Sequence, residues 1–286
     1  MRILLTNDDG IHAPGLAAMY EALADPSRRH GGPLLDPSPG AVSRSPRSVV
    51  FPVAPLTVQS ATSHGVTFHE PLMTRLERVQ VPGSAEAVEG VAVDGRPADC
   101  VKLAIAQIWP ERFGAGARPD LLISGMNSGA NVGINVIYSG TVAAALEAAF
   151  LGVPSIAVSL HIGGKRPRYD IAAGHARRAI EAVIARGLPR PHECLSINVP
   201  VTEAEGPMLP IRVCPMNTHG LNDQYERRTN PAGQAYYWAS GHGLDFHVTD
   251  RGSDVEWLFQ RCITVTPLKY DLTDHAMLAA WRERLG

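Results

Sequence analysis

The sequence predicts an α/β protein with a Rossmann-like, doubly wound and mostly parallel sheet, extended at its C-terminal end by a β-rich region. Three short runs, ILL at 3–5, LLIS at 121–124 and SIAVSL at 155–160, are mostly apolar and lack the alternation of a half-exposed strand. Strands buried on both faces of a parallel sheet have this pattern. Such runs alternate with helix-forming segments through the first two thirds of the chain, as in doubly wound proteins. We expect a catalytic α/β core over 1–200 and a β-rich extension with a closing helix over 201–286.

In the first part of the chain, Pro14 and Gly15 precede a helix predicted at LAAMYEALA. Residues 25–48 are dominated by Pro, Ser, Gly and Arg without any period, and they are predicted to form a loop insertion. Further strands are expected at SVVFPVAP, VTFHEPL, MTRLERVQV and VEGVAVDG, and a helix at PADCVKLAIAQI.

In the second part, a glycine-rich stretch follows LLIS and leads into a helix at TVAAALEAAFLG. The strand SIAVSL, the amphipathic helix DIAAGHARRAIEAVIARG and the strand CLSINVP come next. The last third has β-like stretches at IRVCPMNTHG, QAYYWAS and RCITVTPL, and then a predicted closing helix at LTDHAMLAAWRERL with Thr273 as its cap.

The composition excludes several classes of protein. A formal net charge of −2 gives no support for general binding to nucleic acid or to membranes. There is no apolar stretch long enough to span a bilayer, and the first apolar run is too short for a signal peptide. The four cysteines are scattered without a CxxC spacing, which is typical of reduced, buried thiols. We expect a cytoplasmic protein with no stable nucleic-acid partner and no membrane attachment.

Two adjacent carboxylates, Asp8 and Asp9, stand where the first strand gives way to the first helix. Ligands of open α/β sheets bind at the carboxyl ends of strands. Neighbouring carboxylates repel each other, and a divalent cation such as Mg²⁺ relieves that repulsion. The alternative is that one of them only caps the helix, and the pair alone does not decide between these two readings.

The glycine-rich stretch GMNSGANVGINVIYSG is neither a Walker A loop nor a Rossmann fingerprint, because its first glycines are four residues apart and no Gly-Lys-Ser/Thr follows. It still places a strand, a glycine-rich loop and a helix N-terminus in succession. The residues at that N-terminus, Ser139, Gly140 and Thr141, would offer free N–H groups to an anion such as phosphate. The alternative is that Ser139 or Thr141 is only an N-cap.

Four stretches resemble the SurE (survival protein E) phosphatases, a family of metal-dependent nucleotidases. They are ILLTNDDGIHAPGL, VAPLTVQSATSHGVT, DGRPADCVKLA and SGMNSGANVGINVIYSGTVAAALEAAFLGVPSIAVS, with VTPLKYDLTDH as a weaker fifth. The resemblance implies a SurE-like fold and hydrolysis of nucleoside monophosphates to nucleoside and phosphate, as by a 5′-nucleotidase, with 3′-nucleotidase and exopolyphosphatase activities also to be considered. It further implies a homodimer or homotetramer with C-terminal segments exchanged between subunits. The preferred base and the choice between 5′ and 3′ phosphate stay open.

The resemblance also implies roles for individual residues. One divalent cation per subunit, Mg²⁺ or Mn²⁺, would be held by Asp8, Asp9, Ser60 and Asn127. This donor set is all oxygen, as a hard cation prefers, and the histidines supply no HxH or HExxH pattern for zinc. Asp8 and Asp9 would also be the catalytic residues.

The phosphate is expected at the helix N-terminus formed by Ser139, Gly140 and Thr141, with a further hydrogen bond from Asn131. The expected nucleophile is a water of lowered pKa. Attack by an aspartate through an aspartyl-phosphate is the alternative.

The chain departs from the family pattern in two places. The insertion at 25–48 is extra, and Leu-Thr-Val-Gln precedes Ser60 where an acid and an Arg are common in the family. Two other functions agree less well with the sequence: a nucleotide-dependent oxidoreductase or transferase would have a glycine-rich turn in the place of the acid pair, and a binding module would leave the set of oxygen donors unexplained. In the last third, residues 236–238 are Tyr-Tyr-Trp and are candidate subunit contacts, although adjacent aromatics are also typical of a packed strand.

Overall fold

The structure, a computed structural model, describes residues 1–34, 48–84, 87–164, 166–240 and 243–286. Its strands are β1 (Arg2–Thr6), β2 (Val49–Pro55), β3 (Thr74–Val79), β4 (Val88–Val93), β5 (Leu121–Ser128), β6 (Ser155–Leu160), β7 (Cys194–Val199), β8 (Ile211–Val213), β9 (Tyr225–Thr229), β10 (Ala235–Ala239) and β11 (Ile263–Leu268). Its α-helices are α1 (Pro14–Ala24), α2 (Pro97–Leu103), α3 (Trp109–Phe113), α4 (Gly140–Phe150), α5 (Tyr169–Ile184), α6 (Asp254–Phe259) and α7 (Leu278–Leu285). A π-helical segment, Ala104–Ile108, joins α2 to α3, and a 3₁₀ segment, Gly133–Tyr138, precedes α4.

Nine strands of the described residues form one sheet in the order β3-β4-β2-β1-β5-β6-β7-β11-β8. The neighbours from β4 to β7 are all parallel. Strands β3 and β11 run antiparallel to β4 and β7. The chain adds strands outward from β1 toward β4, and then starts again on the other side of β1 with β5. The predicted doubly wound sheet is confirmed, and its order reverses between β1 and β5.

Helices cover both faces of this sheet. On one face lie α1 and α5, and on the other lie α2 and α4. In β1, Ile3 and Leu5 belong to the apolar core under α1 and α5, whereas Leu4 belongs to the core on the opposite face. All three side chains are fully buried, because successive residues of a strand point to opposite faces. This explains why the run has no polar alternation.

The strand predicted at VTFHEPL is wrong, since residues 66–72 form no strand. Both the backbone N–H and the hydroxyl of Thr67 donate hydrogen bonds of 2.8 Å to the Asp99 carboxylate at the start of α2. Phe68, the next residue, is 78% exposed. The Asp99 side chain therefore takes the backbone hydrogen bond that a neighbouring strand would have received.

The closing helix is confirmed, but its predicted cap, Thr273, is wrong. The helix begins at Leu278, with Met277 at its N-cap position. The carboxylate of Asp271 accepts the Thr273 N–H at 3.0 Å, and that of Asp274 accepts the Met277 N–H at 3.2 Å. These local hydrogen bonds favour turns over helix in the residues before α7.

The predicted insertion at 25–48 is described only at its ends, since residues 35–47 lie outside the described residues. Asp25 accepts the His30 N–H at 3.0 Å. Leu34 is fully buried, and its N–H donates to the Leu23 carbonyl at the end of α1 at 2.8 Å. The first part of the insertion is therefore attached to α1 and to the core.

The last third of the chain contributes to the main sheet and also leaves elements exposed. Strands β8 and β11 join the main sheet, whereas β9 and β10 form a separate antiparallel hairpin. Every residue of these two strands is exposed, and α7 has no buried residue.

Two further observations concern the composition. The four cysteines are free and buried, as the sequence predicts. Among the described residues, no helix combines the length and the apolar character needed to cross a bilayer.

Candidate functional site

Asp8, Asp9 and Asn127 lie at the point where the strand order reverses. The two aspartates directly follow β1, and Asn127 is the second-last residue of β5. Strands β1 and β5 are parallel neighbours, with Thr6 opposite Ser124 in the register. The carboxyl ends of both strands therefore meet at the same edge, which is the usual ligand site of such sheets.

Asp8 is a buried carboxylate held from α4. Its side chain accepts a hydrogen bond from the hydroxyl of Thr141, and the residue is only 4% exposed. Burial raises the pKa of Asp8 to about 6; hydrogen bonds from Thr141 counteract part of this effect, and the neighbouring charge of Asp9 adds to it. A carboxylate with so little water around it is a place where a cation binds favourably.

Asp9 is more accessible. Its Oδ2 accepts the backbone N–H of Ser128 at 3.0 Å, which links the turn after β1 to the end of β5. In the described part of the chain, its Oδ1 has no hydrogen-bond partner. One oxygen of Asp9 thus fixes the side chain, and the other is available to a ligand.

In Asn127, too, one side-chain atom is held by a hydrogen bond and the other is free. Its Nδ2 donates to the Gly129 carbonyl at 2.8 Å and so fixes the side-chain amide. Its Oδ1 accepts no hydrogen bond from the described residues. The amide therefore presents an oxygen, and not a nitrogen, as its free atom.

Ser60 lies in the exposed loop that follows β2. The neighbouring Gln59 donates its N–H to the Asp8 carbonyl at 2.7 Å. Ser63 donates its N–H to the Tyr138 carbonyl at 3.1 Å and its hydroxyl to the Ile137 carbonyl at 2.7 Å. These contacts hold the loop against the acid pair on one side and the 3₁₀ segment on the other.

The start of α4 is occupied by protein contacts. The Ser139 hydroxyl accepts the Val142 N–H at 3.1 Å, which is an N-cap, and the Thr141 hydroxyl is engaged with Asp8. Gly140 has no positive φ, but a Cβ built on it would stand 2.9 Å from Asp8 Cβ and 3.0 Å from Asp8 Oδ2. Glycine is present here because Asp8 packs against the helix end.

Asn131 is part of a buried polar network. Its Nδ2 donates to the Ser159 hydroxyl at 2.8 Å, and its N–H donates to Asn198 Oδ1 at 2.8 Å. Asn198 in turn donates to the Asn131 carbonyl at 3.1 Å. These bonds join the glycine-rich loop to β6 and β7. Part of the hydrogen-bonding capacity of Asn131 is therefore already used.

A cavity of about 360 Å³ connects these residues. Five of the eight predicted site residues line it: Asp8, Ser60, Asn127, Asn131 and Ser139. The other three, Asp9, Gly140 and Thr141, do not line the cavity. Gly140 and Thr141 contact Asp8 from the start of α4.

Several other residues of the cavity wall are not predicted from the sequence, namely Tyr138, His161, Ile162 and Leu244. His161 directly follows β6, so its place at a strand's carboxyl end was the available signal. Leu244 belongs to the last third of the chain, and nothing in the sequence around it indicates that it lies at this cavity.

The donor set fits a hard divalent cation. Among the described residues there is no group of three or more His, Cys, Asp or Glu that could hold a metal. The oxygens present are instead two carboxylates, one of them strongly desolvated, an amide oxygen with no partner in the described structure, and an exposed serine hydroxyl. Mg²⁺ and Mn²⁺ accept such a set together with waters, whereas zinc prefers nitrogen and sulfur.

Comparisons with known proteins agree with this fold. The family model described as "Survival protein SurE" matches residues 3–31 and 36–223. A protein named 5'-nucleotidase SurE from Heliobacterium modesticaldum is 38% identical over 286 residues, covering 100% of this chain and 92% of that one. One with the same name from Rhodopirellula baltica is 39% identical over 287 residues, covering 99% and 98%. The crystal structure of the Sure protein from Aquifex aeolicus superimposes with a TM-score of 0.73 at 29% identity, covering 99% of both chains.

Proposed function

Because the chain belongs to the SurE family, we propose that it is a phosphoric monoester hydrolase that converts nucleoside monophosphates to nucleoside and phosphate in the presence of a divalent metal ion. The observation that carries this proposal is the pair Asp8 and Asp9 at the reversal of the strand order, with Asn127 on the neighbouring strand. The names of the relatives, 5'-nucleotidase SurE, support the substrate class.

The cation, one Mg²⁺ or Mn²⁺ per subunit, would be held by Asp8, Asp9, Ser60 and Asn127. The chemistry that it supplies is neutralisation of phosphate charge and a lowered pKa of water. Phosphoryl transfer depends mainly on such neutralisation and on alignment, so the chain's own part is to position groups.

The residues of the chain position Asp8 in particular. Thr141 fixes one carboxylate oxygen, Gly140 allows the close approach, and the positive end of the α4 dipole favours the ionised form. We propose that Ser139, Gly140, Thr141 and Asn131 also form the phosphate end of the cavity. The Ser139 and Thr141 hydroxyls already have partners, the Ser139 N–H donates to the Val136 carbonyl at 3.4 Å and the Thr141 backbone bonds to Asp8, so the helix dipole is the remaining means of holding an anion at these two residues.

The test is phosphate release from AMP and GMP with Mg²⁺ or Mn²⁺, with and without a chelator. We expect turnover that the chelator abolishes and that added metal restores. Parallel reactions with 3′-AMP and tripolyphosphate measure the 3′-nucleotidase and exopolyphosphatase activities. Turnover that the chelator leaves intact would contradict the metal requirement, and the lack of any phosphate release would contradict the proposed function itself.

We also propose that the protein is a cytoplasmic homodimer or homotetramer built through its last third. Tyr237 and Trp238 of the β9–β10 hairpin are 61% and 60% exposed, and Leu285 of α7 is 83% exposed. Exposed apolar surface of this kind on two elements of the last third is typical of a subunit interface. Sedimentation at micromolar concentration checks this, and a species of 30.7 kDa alone would contradict it.

A further inference from the structure

The cavity has two chemically different parts. One part is formed by Asp8, Ser60 and Asn127, which are the proposed metal and phosphate ligands. The other is formed by Tyr138, His161, Ile162 and Leu244, none of which has a role in the proposed hydrolysis. A volume of about 360 Å³ falls within the range of small-molecule sites, roughly 300–1,000 Å³, so the cavity has room for more than a phosphate group.

His161 is fixed in place by its surroundings. Its N–H donates to the Val199 carbonyl at 2.8 Å, so its backbone continues the pairing of β6 with β7 beyond the end of β6. Its ring packs edge-on against Phe259 of α6, with the ring centres 5.6 Å apart. Neither ring nitrogen has a hydrogen-bond partner among the described residues. His161 therefore lines the cavity as a residue with an oriented imidazole whose nitrogens have no partner among the described residues.

The charge state of this imidazole suits a neutral ligand. Partial burial lowers the pKa of His161 below its usual value, so the ring is uncharged at neutral pH. A neutral imidazole has one N–H donor and one acceptor nitrogen. It is therefore better suited to the hydroxyl and amide-like groups of a nucleoside than to phosphate oxygens.

Tyr138 adds an aromatic surface beside the phosphate end. It immediately precedes Ser139, and its side chain is 52% exposed although its backbone is held by Ser63. Exposed aromatic rings stack on bases of any sequence. The combination of a free ring face and a neutral hydrogen-bonding ring is what a nucleoside requires.

We propose that Tyr138, His161, Ile162 and Leu244 form the nucleoside subsite, and that His161 makes a hydrogen bond to the nucleoside. His161 is on this view a specificity-determining residue, which favours nucleotides over other phosphate monoesters. The inference rests on the proposed phosphatase function, and it names the part of the same cavity that selects the substrate.

The experiment compares wild type, His161→Ala and His161→Asn with AMP, GMP and methyl phosphate as substrates. Methyl phosphate has the same reacting group but no nucleoside. For His161→Ala we expect kcat/KM for AMP or GMP to fall about tenfold, mainly through KM, as for the loss of one hydrogen bond. Methyl phosphate hydrolysis should stay within twofold of wild type, and His161→Asn should recover part of the loss. His192→Ala is the matched control, because that histidine lies just before β7, at the opposite edge of the sheet.

Two results would overturn the inference: unchanged kcat/KM for both nucleotides in His161→Ala, or an equal loss for nucleotides and methyl phosphate. A binding measurement separates it from the proposed function. Calorimetry with AMP on wild type and His161→Ala, in the presence of a chelator, requires no turnover. Weaker binding by the variant supports the subsite even where no hydrolysis occurs, and equal or undetectable binding by both proteins contradicts it.

Discussion

Glu147, in the middle of α4, accepts a hydrogen bond of 2.8 Å from Nε2 of His64, which lies four residues after Ser60. The other oxygen of Glu147 accepts from Lys102 of α2 at 3.2 Å. The helix whose first turn fixes Asp8 therefore also holds the loop that carries Ser60. The glutamate links two parts of the proposed metal site without lining the cavity.

The first prediction concerns this link. Glu147→Ala should destabilise the fold by about 1 kcal/mol, because His64 and Lys102 lose their buried partner but, at 40% and 43% exposure, can turn to water. It should also weaken Mn²⁺ binding, measured by calorimetry, since the Ser60 loop loses an anchor. The control is Glu111→Ala, which removes an exposed glutamate whose partner, Gln107, is on the same helical stretch. Unchanged metal affinity in Glu147→Ala would show that the loop does not depend on it.

The second prediction concerns pH. Burial alone would raise the pKa of Glu147, but the hydrogen bonds from His64 and Lys102 outweigh burial and the pKa is lowered below 4.5. A lowered pKa means that the ionised form stabilises the fold above pH 4.5, and that this contribution is lost as the pH falls below that value. The difference in melting temperature between wild type and Glu147→Gln should therefore shrink as the pH falls from 6 toward 3. A difference that stays constant over this range would contradict the assignment.

The third prediction concerns the acid pair. Asp9→Asn should nearly abolish phosphatase activity and weaken Mn²⁺ binding, while the amide oxygen still accepts the Ser128 N–H. Stability should not fall much, because one of two repelling carboxylates becomes neutral. The matched control is Asp120→Asn, since the Asp120 carboxylate accepts the Arg2 N–H at the other end of β1. Wild-type turnover in Asp9→Asn would exclude it as a ligand.

The fourth prediction concerns the approach of Asp8 to α4. Gly140 has no positive φ, so its replacement causes no backbone strain, but an added Cβ would stand 2.9 Å from Asp8 Cβ and 3.1 Å from Pro97 Cγ, and Gly140→Ala should therefore destabilise the fold by about 1–3 kcal/mol through overpacking. The added methyl group would also displace the Asp8 carboxylate, and the specific activity of the folded protein should fall by orders of magnitude. Thr141→Val should give a smaller loss, since it removes one hydrogen bond to Asp8. Gly206→Ala, a change into open space at an ordinary φ, is the control. A destabilised Gly140→Ala protein with normal specific activity would contradict the contact.

The buried strands and the acid pair could be predicted from the sequence because their signals are local. The run Ile3 to Leu5 is apolar since both faces of β1 are covered, and Asp8 and Asp9 follow it directly. The hydrogen bond between His64 and Glu147 joins residues 83 positions apart, and nothing in either segment indicates the other. The strand expected at VTFHEPL is absent for the same reason, because the side chain of Asp99, which is distant in the sequence, accepts the backbone hydrogen bond of Thr67.

The edge of the main sheet has a consequence for the synthesis of the chain. Strand β11 lies between β7 and β8, although it is the last strand in the sequence. While a ribosome extends the chain, β7 keeps an open edge and β8 has no partner until residues 263–268 have emerged. An open edge of this kind pairs readily with other chains. A frameshift or stop codon shortly before Ile263 would therefore release a polypeptide that retains every residue of the proposed site and yet is prone to aggregate.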